Sequence, residues 1–289
     1  MNTIFIIGQH RTGSTLLKNM LDAHSQIDMA FDEMNLFEPF RNNTLDKYLG
    51  KTKLTPAEFI EMLRKKKIYG TFWREFEKSG ISNKELLNLL GRFELLDETK
   101  VLTAVLQLLK EKNNCKISGI KYPVHFRKVS YLLKDFPGSK IIFLTRNPKA
   151  IVASKINDPA TKQRKGKSKL YGFLIHYFTL LYFCFEFNSS IKTYFQNKAH
   201  LYLVTYEDLV KNQQQTIQHI CNFCGIEFEE NMLKVSGKES SYNKNSSQAL
   251  HNKSLQKYKE VLSPFDRKLI DFITLRNYKK ILNEPHTHL

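Results

Sequence analysis

Short unbroken apolar runs alternate along this chain with stretches whose apolar residues recur every three or four positions. The runs at 4–7 and 140–145 suit strands covered on both faces, as in a parallel sheet, and 27–31, 116–122 and 201–205 read as further strands. Leu16, Leu17, Met20 and Leu21 have the second pattern and predict a helix directly after the first strand. Between the second and third strands, residues 36–113 are mostly helical in pattern. Thr55 caps and Pro56 opens one helix there, and Ser82 with Glu85 forms a capping box before Leu86, Leu87 and Leu90. A further helix fits 99–112. Helices are also predicted at 126–135, at 149–156 with Asn147 as cap, at 170–187, from Tyr206 to Gly225, and at 264–282 with Ser263 as cap. Residues 161–169 and 236–252 show no periodicity and are expected to be loops, the first basic and mobile, the second polar. Strands alternating with helices predict an α/β fold around a central parallel sheet. No internal repeat is visible.

At 289 residues the chain could hold one large α/β domain or two small ones. No compositional break is wide enough for a linker, so a single domain over 1–289 is expected. The helical insertion at about 36–113 would then form a lid or acceptor wall. The formal charge of +17 suits a polyanionic ligand, an acidic substrate, a membrane surface or nucleic acid, or is a bias toward Lys and Asn without functional meaning. The basic residues scatter apart from those at 162–169, which argues against a nucleic-acid partner. The apolar run at 4–7 is too short for the core of a signal peptide. Cys115, Cys184, Cys221 and Cys224 do not resemble a disulfide framework, and Cys221 and Cys224 lie inside a helical pattern where core packing explains them. A cytoplasmic setting is expected. The aromatic segment 170–187 has almost enough apolar length to span a bilayer; a buried core helix is the first expectation and an interfacial membrane helix the alternative.

Candidate chemistry concentrates where the first strand meets the first helix. Gly8, Gly13 and Thr15 stand in the frame of a Walker P-loop, which delivers phosphate to a helix N-terminus. Ser14 occupies the Lys position, which argues against ordinary nucleotide hydrolysis, and the cation has moved to Arg11. Further along, Arg146 ends a predicted strand and Ser154 follows eight residues later in the next helix, each able to donate to a phosphate. Asp32 and Glu33 lie just past the second strand, at the edge where parallel sheets hold ligands. On its own, Glu33 can be read as a carboxylate satisfying a helix dipole.

Arg11-Thr12-Gly13-Ser14-Thr15 resembles the 5′-phosphosulfate loop of sulfotransferases that use 3′-phosphoadenosine 5′-phosphosulfate, in particular their bacterial and carbohydrate branch. Arg146-Asn147-Pro148 with Ser154 resembles the element with which these enzymes bind the 3′-phosphate of that donor. Tyr206-Glu207-Asp208-Leu209 and the helix ending at Gly225, together with Gly119-x-Lys121-x-Pro123, resemble two further blocks, although Tyr122 replaces a hydroxyl residue. The resemblance implies a three-layer, P-loop-like fold with a five-stranded parallel sheet. It implies a metal-independent transfer of a sulfuryl group to a hydroxyl, most readily that of a carbohydrate or glycolipid. Arg11, Thr12, Gly13, Ser14, Thr15, Arg146 and Ser154 would bind the donor, with Glu33 as base, Arg11 on the leaving phosphate and Lys121 on the moving group. His10 and His125 are alternative proton acceptors, and Lys121 can also be read as a surface lysine. The Arg-Lys-Gly donor element of the cytosolic branch is missing, and the polar stretch near 244–253 is its only visible substitute. Competing expectations are a metal-dependent P-loop kinase and a basic nucleic-acid or membrane-surface protein, and peripheral contact with a membrane remains open.

Overall fold

The computed structural model describes residues 2–30, 53–65, 70–166, 168–234 and 253–284. Five strands, β1 (Thr3–Gly8), β2 (Ile27–Met29), β3 (Ile117–Lys121), β4 (Lys140–Thr145) and β5 (Leu201–Thr205), form a parallel sheet in the order β2-β3-β1-β4-β5. Every residue of β1, β3 and β5 is buried, including the polar Ser118 and Lys121 of β3. Each fully buried Ile or Phe of such a strand contributes about 1.5–3 kcal/mol. β3 fixes the register on its side of the sheet, with Thr3 opposite Ser118, Ile6 opposite Lys121 and Met29 opposite Gly119. From β1 the chain fills one flank of the sheet and then, from β4, the other. The loop after β1 therefore lies where the strand order reverses, the usual ligand edge of an α/β sheet.

Contacts gather the described residues into two compact units. One contains the described parts of 1–7, 17–141 and 229–235, the other those of 8–16, 142–228 and 236–289. In the first, α1 (Ser14–Asp22) ends with the Asp22 carboxylate accepting from the Met29 amide at 2.8 Å, which ties this helix to β2. Between β2 and β3 come α2 (Pro56–Lys65), α3 (Gly70–Lys78), α4 (Asn83–Leu90) and α5 (Glu98–Lys112). The cap and the capping box read from the sequence are in place. Thr55 and Glu58 exchange bonds across the first turn of α2, and Ser82 and Glu85 do so for α4. Asp97 caps α5, two residues before the predicted start. After β3 a 3₁₀ turn over Pro123–Lys128 precedes α6 (Val129–Asp135), so the predicted helix at 126–135 begins late.

In the second unit, α7 (Pro148–Ile156) follows β4 and carries Ser154. The basic stretch expected to be a mobile loop is corrected: α8 (Pro159–Lys165) forms there. Asp158 caps it by accepting from the Ala160 amide at 3.0 Å, and Thr161 is buried. The aromatic helix, α9 (Lys169–Asn197), runs ten residues past its predicted end. It is buried on one side only, with Leu180, Cys184 and Phe187 inside and Leu170, Phe178 and Phe185 exposed, so the expectation of a buried core helix fails for half its surface. The single helix predicted from Tyr206 is two, α10 (Tyr206–Lys211) and α11 (Gln213–Cys224), broken at Asn212 and closed by Gly225 in the left-handed region. Two short helices, α12 (Lys253–Gln256) and α13 (Tyr258–Val261), precede α14 (Pro264–Leu282), which Ser263 caps as expected. Glu33 and most of the polar stretch at 244–253 lie outside the described residues.

Candidate active site

The loop between β1 and α1 is shaped by two glycines that admit no side chain. Gly8 has φ +143°, and a Cβ on it would lie 2.1 Å from the Leu144 carbonyl oxygen. Gly13 has φ +93°, and its Cβ would lie 2.3 Å from Cδ2 of Tyr206. Between them Arg11, with a full side chain, adopts φ 71°. A non-glycine residue in this region costs about 1–2 kcal/mol, a strain that recurs at ligand-binding turns. Inside the turn, the Thr12 hydroxyl donates to the Gln9 carbonyl at 2.8 Å. Gln9 is itself anchored from α9, its amide donating to the Phe183 carbonyl at 2.8 Å and to Glu186 at 3.3 Å. Ser14 and Thr15 then open α1, whose first turn carries N–H groups without intrahelical partners and the positive end of the dipole.

Arg146 and Ser154 meet this loop directly. Arg11 Nε donates to Ser154 Oγ at 2.9 Å, and Arg146 Nη1 donates to the Arg11 carbonyl at 3.2 Å. The two candidate motifs, more than 130 positions apart in sequence, therefore meet in one cluster. Ser154 accepts from Arg11 and keeps its own hydroxyl proton to donate to an anion.

The Tyr206-Glu207 segment supports the cluster. The Arg146 guanidinium lies 4.0 Å from the centre of the Tyr206 ring, a cation–π contact of about 0.5–2 kcal/mol. The same ring fills the space beside Gly13. Burial draws the guanidinium below its usual range, while Tyr206 and Glu207 favour its charged form. Glu207 accepts from the Asn147 amide at 3.0 Å and so holds the cap of α7, whose Asn147 side chain accepts from the Lys149 amide. Burial pushes the Glu207 carboxyl above the usual carboxylate range, opposed by the Asn147 amide and by Arg146. Sequence reasoning placed Tyr206 and Glu207 in a motif without a task. In the structure the Tyr206 ring lies under Arg146, and Glu207 holds the N-cap of α7, the helix that carries Ser154. It also missed the Gln9–Glu186 pairing, for which a polar residue inside an otherwise aromatic helix was the available signal.

The remaining candidates divide. Lys121 ends β3 opposite Ile6 and is only 2% exposed, which excludes the surface-lysine reading. His10 lies half-buried in the loop. His125 is fully buried in the 3₁₀ turn, edge-on to Tyr122, and burial reinforced by Lys128 draws its imidazole down to about 3. A base whose conjugate acid lies so far below neutrality is a poor proton acceptor.

A sequence model of the sulfotransferase family matches residues 3–230. A search of curated proteins returns no match. Among solved structures, the chain is similar to the sulfotransferase domain from the curacin biosynthetic pathway, with TM-score 0.56 and 20% identity over 94% of this chain and 96% of that one. It is similar to the sulfotransferase domain of the Synechococcus PCC 7002 olefin synthase, with TM-score 0.56 and 17% identity over 93% of each chain. It also resembles sulfotransferase STF9 from Mycobacterium avium, with TM-score 0.52 and 13% identity over 96% of this chain and 76% of that one.

Proposed function

Because the chain belongs to the sulfotransferase family, we propose that it moves the sulfuryl group of 3′-phosphoadenosine 5′-phosphosulfate to a hydroxyl of a carbohydrate or glycolipid acceptor. The observation that carries the reading is the joining of Arg11, Arg146 and Ser154 into one cluster at the opening of α1. Three donors of this kind beside a helix N-terminus suit a nucleotide that carries phosphate groups at both the 5′ and the 3′ positions. The loop suits the 5′ end of that donor, since it brings Arg11 and the open first turn of α1 together.

When bound, the donor supplies the activated sulfuryl group. Arg11 and the loop amides hold the phosphate to which it is attached and stabilise the charge left there when the S–O bond breaks. Arg146 and Ser154 hold the 3′-phosphate. Glu33, the base implied by the family resemblance, takes the acceptor hydroxyl proton as the new O–S bond forms. Lys121 offsets charge on the group in transit. We assign the acceptor wall to the helices between β2 and β3 and, on cysteine usage, the reaction to the cytoplasm.

Thermal melting with two nucleotides side by side tests the donor class. Adenosine 3′,5′-bisphosphate at about 100 times its dissociation constant is expected to add about 2.7 kcal/mol of stability, a rise of several degrees. ATP with Mg²⁺ is expected to add less. A larger shift with ATP and Mg²⁺ would favour the kinase alternative and reject the assignment.

A further inference from the structure

The exposed side of α9 is apolar for its first four turns. Leu170, Phe173, Leu174, Phe178, Leu181 and Phe185 all face solvent, with Phe178 69% exposed. At 3.6 residues per turn they fall on one face, and the same face continues as Ser189, Lys192 and Gln196, so the stripe stops halfway along the helix. α14 packs beside α9, with Asn188 donating to the Ile273 carbonyl at 2.9 Å. Its own exposed face interleaves Phe265, Phe272 and Leu275 with Lys268, Arg276 and Lys279, and Phe272 is 90% exposed. The two surfaces are continuous through aromatic contacts, Phe173 to Tyr177 at 4.7 Å and Tyr177 to Phe265 at 6.3 Å. The basic side chains of Lys162, Arg164 and Lys169 are exposed at the same end of α9.

We propose that this face docks on an anionic lipid surface, with α9 and α14 lying in the plane of the interface. The charge pattern selects the occupant. Of the acidic side chains on α9 and α14, Glu186 and Asp266 are buried, and Asp271, part-exposed, is neutralised by Lys149 at 2.7 Å. Exposed aromatics interleaved with cations, with the one part-exposed carboxylate already paired, match apolar insertion below a negative headgroup layer. A second copy of the chain would bring the same cations to the same face. α9 is long and apolar enough to cross a bilayer. Its other side, however, is committed to the fold: Leu180, Cys184 and Phe187 are buried, and Glu186 and the Phe183 carbonyl hold Gln9. Lying on the surface preserves those contacts and crossing would break them.

The test uses the purified full chain without nucleotide, so its outcome is independent of the donor assignment. Sedimentation is measured with vesicles of phosphatidylcholine containing phosphatidylglycerol and with phosphatidylcholine alone. The chain is expected to bind the anionic vesicles. A K268S/R276S/K279S variant is expected to bind them about 100-fold more weakly, and F178S/F272S is expected to lose binding while melting at the wild-type temperature. The proposal is overturned if the wild-type chain stays in solution beside anionic vesicles, or if F178S/F272S binds as well as wild type. It is equally overturned if light scattering finds a wild-type dimer that F178S/F272S splits, because the face would then belong to a second copy.

Discussion

Arg11→Ala is expected to lower turnover by about 10²–10³-fold, the usual cost of removing one preorganised donor from a developing anionic charge. Arg11 is held in a left-handed backbone conformation at φ 71° that favours glycine, and its Nε reaches Ser154 at 2.9 Å. The strain and the contact serve the same end, a guanidinium fixed at the opening of α1. Arg11→Gly relieves backbone strain of about 1–2 kcal/mol and gives up the bond to Ser154, worth about 0.5–1.5 kcal/mol, and this variant is expected to melt near the wild-type temperature and remain as slow as Arg11→Ala. Arg11→Lys keeps the charge but replaces a planar fork with a point charge, and is expected to recover only part of the rate. Turnover measured with labelled donor, beside melting curves for all three variants, checks the set. Unchanged turnover in Arg11→Ala removes the loop from the mechanism.

Glu33→Gln is expected to lower the rate by about 10²–10⁴-fold, the range for a general base. The amide keeps the shape of the carboxylate and cannot accept the acceptor proton, so donor affinity is expected to stay at the wild-type value while kcat falls. The pH–rate profile separates a base from a carboxylate that only satisfies a helix terminus. Wild type is expected to lose rate on the acid side as Glu33 is protonated, and Glu33→Gln is expected to lack that limb. A fully active Glu33→Gln would transfer the role to His10. His125, buried and drawn down to about 3, is the weaker alternative.

Much of this fold was legible because its signals are local. The run at Ile4–Ile7 reads as a buried strand from composition alone, and Ser82 with Glu85 specifies a helix start within four residues. The two candidate site motifs were legible for the same reason. Their meeting was not: the Arg11–Ser154 and Arg146–Arg11 bonds join positions more than 130 apart. The Tyr206 ring under Arg146 depends on how β4 and β5 deliver their ends, which periodicity does not encode. The Lys-rich segment at 161–169 looked like a loop because its charges hide the pattern, yet one Asp-Pro cap and one buried Thr suffice for a short helix. The aromatic helix shows the converse. Its apolar content was plain, but hydropathy does not tell which face is covered, and half of α9 is exposed.

The central claim is that the Arg11 loop and the Arg146–Ser154 pair bind one nucleotide together. Calorimetry with adenosine 3′,5′-bisphosphate and AMP tests it most directly, because the two differ only in the 3′-phosphate. A charge-assisted contact of about 1.5–3 kcal/mol predicts a preference of about 10- to 150-fold for the bisphosphate, and Arg146→Ala should erase most of it. Equal affinities for the two nucleotides in the wild-type protein would contradict the account.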